Sequence, residues 1–423
     1  MPGDKPKRIL WFTQANSFSE QGGSYKVRLP SWVEALAHAI STENKVELAI
    51  AFQCEQSQVK RFTVGSSVFY PISFNLSSPF AKWRFKISHQ VGKTINTDRY
   101  KEIIDDFKPD LIQIFGSEFQ YAEVVSYTTV PVLLHIQSIV NPYLVRWYAG
   151  GIGGLSVLRF SRLSSLVKGS GVYHAYRRFR KQAEREMKVY KQCKYYAGRT
   201  DWDRTIVSFL APTARYFHCD ELLRTEFFKF SHRVREIKKL KIVTVINPNL
   251  YKGLETILET ARLLKQHSAL SFEWKVIGFS AGDDLVRITE KSKGIYSSRV
   301  DVNYSVVDSI EKLAAEVING DLYVHTSHIE NSSNAVCEAM LLGMPILCSD
   351  TGGAQSLITN QVEGILFPAG DAFYLAGKIV NLASDPEKRM SLGAAARAKA
   401  LARHDSKRVT EKLLDVYEQI IGG

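Results

Sequence analysis

The sequence predicts an α/β protein built of two doubly wound domains, each a parallel sheet covered by helices. Three observations carry this. Short apolar runs rich in β-branched residues alternate with segments of helical period; the alternation comes in two series separated by a polar, basic stretch; and 423 residues exceed what one hydrophobic core ordinarily serves.

The first series is RILWF, VELAIAF, LIQIF, VPVLLHI, KYYAG and ARYFHC; the second is KIVTVI, FEWKVIGF, VDVNYSV, DLYVHTS and PILCSD. Such near-continuous apolar strands belong in sheets buried on both faces, which are parallel sheets. Between the series, Leu222 to Lys241 is basic and poor in strand signals, which puts a linker at 226–240, a first domain at 1–225 and a second at 241–404. In the last segment, 405–423, Val409, Leu413, Val416, Tyr417 and Ile420 recur at helical spacing, so this segment is an amphipathic helix that packs on something else.

Composition removes several classes. With 45% hydrophobic and 23% charged residues the chain is of ordinary globular type. Five scattered cysteines with no CxxC pair suit neither a disulfide framework nor a structural zinc site, and favour a reducing cytosol. The start, MPGDKPKRILWF, lacks an adequate apolar h-region and no run of 18 apolar residues occurs, so neither a secretory signal nor a membrane span is expected. The net charge of +12 is concentrated: Asn141 to Thr200 carries thirteen Lys/Arg against Glu184 and Glu186. These cations are interleaved with Tyr143, Leu144, Trp147, Leu155, Leu158 and other bulky apolar residues, which suits an anionic membrane surface. Nucleic acid would attract the same charge, but no nucleic-acid motif accompanies it.

The most informative stretch is HIENSSNAVCEAMLLGMPILCSDTGG, His328 to Gly353. Ser333 caps a helix that AVCEAMLL continues and Gly343 and Pro345 stop, so Glu330 precedes the helix and Glu338 falls in its second turn. On a continuous helix, residues eight apart lie about 80° apart round the axis and about 12 Å apart along it, a poor arrangement for sharing one proton or one metal. They can instead grip two ends of one extended ligand, while the N–H groups over Asn331, Ser332, Ser333 and Asn334 face a negative centre between them. Gly352-Gly353 follows the next strand, at the carboxyl edge where open α/β sheets bind ligands. Ribose, diphosphate and hexose in line, as in a nucleotide sugar, fit this layout.

ENSSNAVCEAMLLGMP resembles the E-x7-E motif of glycosyltransferase family 4, retaining enzymes of GT-B architecture, and the order of strand, motif helix, G-x-P, strand and Asp-x-Gly-Gly matches as well. EGILFPAGD and NLYKGLETILETARLL resemble further family steps, and GRTDWDR and YFHCDELLR look like a branch used in bacterial surface-polysaccharide assembly. The resemblance implies two Rossmann-like domains facing across a cleft, with the C-terminal helix packing back on the first domain. It implies that Glu330 holds donor-sugar hydroxyls, Glu338 the ribose and Lys252, with Gly253, the diphosphate, and that Gly22-Gly23 line the cleft from the first, acceptor-side domain. It further implies a UDP- or GDP-sugar donor, a lipid-linked or growing glycan acceptor, no cofactor, no metal, and a place on the cytoplasmic face of the membrane.

Two positions depart from the family pattern. Asn247 stands where a second diphosphate-binding arginine is usual, and Arg199, at the end of KYYAG, is the expected source of replacement charge or else a structural arginine. Gln137 stands where a histidine is usual; it can bond a sugar but cannot take a proton near neutral pH. His135 reads as a core histidine, and Glu118, after LIQIFGS, as a further cleft contact. Asp201-Trp202-Asp203 imitates a metal-binding Asp-x-Asp but sits where helix capping explains it better.

A dinucleotide oxidoreductase would need a G-x-G-x-x-G turn, which the chain lacks. A two-carboxylate glycosidase needs carboxyls opposed across one bond. The non-enzyme alternative is a catalytically silent nucleotide-sugar-binding or scaffold partner, motivated by Asn247 and Gln137.

Overall fold

A computed structural model describes residues 5–422 apart from 22–23, 30, 44, 55–58 and most of 74–96. Gly22 and Gly23 therefore lie outside the described residues. The chain divides into two compact units: 1–140, 180–224 and 404–423 form the first, and 141–179 with 225–403 the second.

The first unit is built on the strands β1 (Lys7–Gln14), β4 (Val46–Cys54), β5 (Phe62–Val64), β6 (Ser67–Ser73), β7 (Leu111–Phe115), β8 (Val132–His135), β9 (Tyr195–Gly198) and β10 (Arg215–His218), with a hairpin of β2 (Ser17–Gln21) and β3 (Ser24–Arg28) alongside. The sheet order is β10-β9-β8-β7-β1-β4-β6-β5, parallel throughout except for β5 against β6. Side chains of β1 alternate between its faces: Leu10 and Phe12 join one apolar core, Ile9 and Trp11 the other. The second core is closed by the helices Ser31–Ser41 and Ser406–Ile421, the latter through Val409, Leu413, Val416, Tyr417 and Ile420. Trp11 Nε1 donates to the Tyr417 hydroxyl at 3.0 Å, which in turn bonds Gln113. The apolar stripe read in 405–423 thus packs within the first unit.

The second unit contains β11 (Leu240–Val245), β12 (Phe272–Ile277), β13 (Val302–Ser305), β14 (Leu322–His325), β15 (Ile346–Asp350) and β16 (Ile365–Pro368). Their order is β13-β12-β11-β14-β15-β16, all parallel. The direction of winding reverses between β11 and β14, the topological switch point of a doubly wound sheet.

All eleven strands expected from apolar runs are present. Five strands were not among those runs: β2, β3, β5, β6 and β16. Of these, β6 contains Pro71, a residue that argues against a strand. It is tolerated because β5 pairs only Ser67 to Phe69, leaving the side of Pro71 without a partner strand among the described residues.

The division corrects the expected boundaries at two places. Residues 226–240, expected as a linker, belong to the second unit, where the His232 amide donates to the Leu342 carbonyl at 2.7 Å and Arg235 pairs with Asp321 at 2.9 Å. The segment 141–179, about two thirds of the basic stretch, belongs to the second unit and not to the first. Aromatic packing holds it there: the Tyr143 ring centroid lies 5.2 Å from that of Tyr251, and Trp147, fully buried, lies 5.5 Å from Tyr251. Farther along, Arg287 donates to the Phe160 carbonyl at 2.9 Å and Asp284 accepts from the Arg162 amide at 3.2 Å.

Candidate active site

Adjacent pairing of β11 and β14 brings two loops together at their carboxyl ends, 246–253 and 326–333. They are stitched by the His328 amide donating to the Tyr251 carbonyl at 2.7 Å and by Thr326 Oγ1 donating to the Lys252 carbonyl at 2.9 Å. Gly253 makes this approach possible. It sits at φ +77°, and a Cβ there would fall 2.1 Å from the Thr326 carbonyl oxygen, so a side chain would force the loops apart.

Lys252 Nζ forms an ion pair and hydrogen bond with Glu330 Oε2, the two side chains being 11% and 15% exposed. Glu330 Oε1 accepts from the Tyr143 hydroxyl at 3.2 Å, and that hydroxyl accepts from the Asn331 amide at 2.9 Å. His325 Nε2 stands 3.8 Å from Oε2 and the Ser327 hydroxyl 3.5 Å away. Burial by itself would push the Glu330 carboxyl up; the Lys252 charge, helped by His325, overrides it and holds the carboxyl at about 2. His325 is shifted down, chiefly by burial, against the pull of Glu330. The site at neutral pH is therefore a carboxylate beside an ammonium, with a neutral imidazole behind.

The helix Asn334–Leu342 starts where the sequence put it, with Ser333 at the N-cap position in extended conformation, although its side chain makes no capping hydrogen bond. Asn331, Ser332 and Ser333 are buried, and Asn334 Oδ1 is buried with no hydrogen-bond partner among the described residues. Glu338, in the second turn, is 5% exposed, and its charge adds to the burial that drives the Tyr323 hydroxyl upward. Gly352 and Gly353 have a function inside the protein: a Cβ on Gly352, at φ +54°, would meet the Glu330 carbonyl oxygen at 1.8 Å, and the Gly353 amide donates to that same oxygen at 2.9 Å. The glycine pair fixes the backbone that presents the carboxylate. Asn247 is exposed, its side-chain oxygen taken by Asn249 Nδ2 at 2.8 Å.

Tyr143, His325 and the pair His328–Glu255 were not singled out from the sequence. His328 Nε2 lies 2.5 Å from Glu255 Oε1, both side chains nearly buried, with the backbone of Gly150 directly against the Glu255 carboxylate. His325 and His328 flank the quoted motif and had a signal in their strand-end position; Tyr143, 187 residues from Glu330, had none. A groove of about 460 Å³ in the same unit is lined by Arg162, Arg178, Pro248, Asn249, Asp283 and Asp284 among others. It sets a guanidinium, Arg178, beside the loop that carries Asn247.

The remaining candidates lie in the first unit. Arg199 is 3% exposed, 3.8 Å from the buried Glu221 carboxylate, donating to the Gln137 carbonyl at 2.8 Å and stacked over Trp32 at 5.2 Å. Gln137 is half-buried. Burial, reinforced by the Glu186 charge, pushes the Glu118 carboxyl up to about 8. His135 is a core histidine: fully buried, bonded to Gln113 at 3.0 Å and brought down to about 3, mainly by burial. Asp203 completes a capping box with Thr200 and accepts from the Tyr216 hydroxyl at 2.5 Å.

Residues 226–399 match the family model described as "Glycosyl transferases group 1". Among curated proteins, the amylovoran biosynthesis glycosyltransferase AmsK of Erwinia amylovora is 25% identical over 197 residues, 45% of this chain and 48% of that protein. The N,N'-diacetylbacillosaminyl-diphospho-undecaprenol alpha-1,3-N-acetylgalactosaminyltransferase of Campylobacter jejuni is 27% identical over 186 residues, 44% and 46% of the two chains. The chain thus spans about half the length of these relatives. Among solved structures, a sucrose-phosphate synthase from Thermosynechococcus elongatus superposes with TM-score 0.69 at 13% identity, over 98% of this chain and 99% of that one, a likeness of fold.

Proposed function

From the match of residues 226–399 to the glycosyl transferases group 1 model, in a chain of GT-B fold, we propose a retaining glycosyltransferase that moves a hexose-type residue from a UDP- or GDP-sugar to a lipid-linked or growing glycan in surface-polysaccharide synthesis. The observation that carries the reading is the Lys252–Glu330 pair at the switch point of the second sheet, directly before a helix that buries Glu338. In this reading Glu330 bonds donor-sugar hydroxyls, Glu338 the ribose, and Lys252, beside Gly253, together with the helix-start amides of 333–335 takes the charge that grows on the departing diphosphate. Glu330 stays anionic throughout, so it positions and does not protonate. The leaving diphosphate accepts the proton of the incoming hydroxyl on the face it vacates, which retains configuration. The cationic contact absent at Asn247 falls to Arg199 or Arg178. The groove shared with Asn249 favours Arg178, since the Arg199 charge already faces Glu221.

The name of the Campylobacter relative includes a diphospho-undecaprenol acceptor. Such an acceptor fits a protein working peripherally on the inner face of the plasma membrane; among the described residues no helix is long and apolar enough to cross a membrane. The test is a screen of UDP- and GDP-sugars with membrane extract as acceptor, reading released nucleoside diphosphate, then the anomeric configuration of the product, with and without EDTA. Release that survives chelation and gives a retained anomer is expected. Nucleotide-sugar binding with no release would establish the silent-partner alternative.

A further inference from the structure

Exposed apolar side chains on this protein are mostly scattered singly, as on any soluble surface. One stretch differs. Between Val145 and Lys168 lie five of the eighteen large apolar residues exposed among the described residues: Val145, Leu155, Leu158, Leu163 and Val167, with Leu155 86% and Leu163 76% exposed. Leu155 and Leu158 share a face of the helix Gly154–Phe160, opposite the buried Val157, and Leu163 and Val167 share a face of the helix Leu163–Lys168. These helices are anchored, because Trp147 and Val157 are fully buried and Arg287 holds the Phe160 carbonyl. The same 24 residues contain Arg146, Arg159, Arg162 and Lys168 and no acidic residue. Arg162 is engaged by Asp284, leaving Arg146, Arg159 and Lys168 exposed to solvent.

We infer that residues 145–168 are a bilayer-docking surface of the second unit, inserting Leu155 and Leu163 among acyl chains while Arg146, Arg159 and Lys168 meet anionic headgroups. Exposed leucines held on a fixed scaffold between unopposed cations match the two requirements of an interfacial anchor, buried apolar area and positive charge. The inference rests on the membrane-surface placement proposed above and relocates it. The docking element belongs to the unit that carries Glu330 and Lys252, whereas the sequence assigned the whole basic stretch to the acceptor side.

The full chain is sedimented with vesicles of phosphatidylcholine mixed with phosphatidylglycerol and with vesicles of phosphatidylcholine alone. Binding at least about tenfold tighter to the anionic vesicles is expected, weakened roughly tenfold or more by Leu155→Ser with Leu163→Ser and about a hundredfold by replacing Arg146, Arg159 and Lys168 with Gln. Equal binding to both vesicles, or a serine variant that binds like the parent, overturns the proposal. Nucleoside diphosphate release with a water-soluble acceptor is measured in parallel and is expected to be the same in the serine variant and the parent. If no donor is turned over while vesicle binding follows the expected pattern, the transferase reading fails and the docking surface stands; the converse result separates them the other way.

Discussion

Replacing Lys252 by methionine tests whether Glu330 is held as an anion by that one cation. The fall of the Glu330 carboxyl from an ordinary 4.5 to about 2 corresponds to roughly 3 kcal/mol, at about 1.4 kcal/mol per pH unit. Because the folded value is the depressed one, this stabilisation is complete above 4.5 and is lost as pH falls through that value toward about 2. Removing Lys252 leaves a largely buried carboxylate with its desolvation cost unopposed, so Lys252→Met should lose on the order of 3 kcal/mol at neutral pH, and much less near the acid end. Adding Glu330→Gln to that variant should restore most of the loss, since the amide carries no charge to strand. The measurement is hydrogen exchange of the β11 and β14 amides under mild urea, which reads the unit that holds the pair. A methionine variant within about 0.5 kcal/mol of the parent, or a double variant whose effects merely add, refutes the argument.

Four further outcomes are expected. Tyr143→Phe removes the donor to Glu330 Oε1 and the acceptor for the Asn331 amide, so kcat/KM should fall about tenfold and the acid limb of its pH profile should move upward; an unmoved limb would reduce Tyr143 to packing. Glu118, raised to about 8, contributes stability below its unfolded value near 4.5 that is lost as pH rises toward 8; Glu118→Gln should therefore flatten urea stability over that window and gain on the order of 1 kcal/mol at its upper end. Arg199→Ala strands the buried Glu221 and should destabilise the first unit by roughly 3 kcal/mol, seen by urea unfolding, whereas Arg178→Gln should raise the donor KM about tenfold with urea stability kept. A selective donor-affinity loss in Arg199→Ala would return the missing charge to Arg199.

What the sequence made legible is what a local period encodes. Parallel strands announce themselves as apolar runs, and the helix after Glu330 through a serine at the cap position and a closing glycine, so most strands of both sheets and the placement of Glu330 and Glu338 are legible directly. The glycines are legible as special positions, but not as to what approaches them: Gly352 reads as facing a ligand and Gly253 as part of the diphosphate site, and what crowds them is the protein's own backbone at Glu330 and Thr326. The β6 strand was hidden by Pro71, whose acceptability depends on the shortness of a neighbouring strand, a property that no local window holds.

The basic segment shows the other limit. Its charge and its apolar interleaving predicted a surface, and exposure at Leu155 and Leu163 accords with that. Composition assigns no partner within the molecule, however, and chain order suggested the wrong unit. Tyr143 and Trp147 choose it, because their rings pack on Tyr251, one residue from the lysine that pairs with Glu330. The consequence is chemical as well as topological: the segment that exposes leucines to solvent begins with the hydroxyl that bonds the Glu330 carboxylate. Disturbing the packing of Trp147 on Tyr251 should therefore reach the carboxylate through Tyr143, while the exposed leucines, which touch neither, can be altered without reaching it.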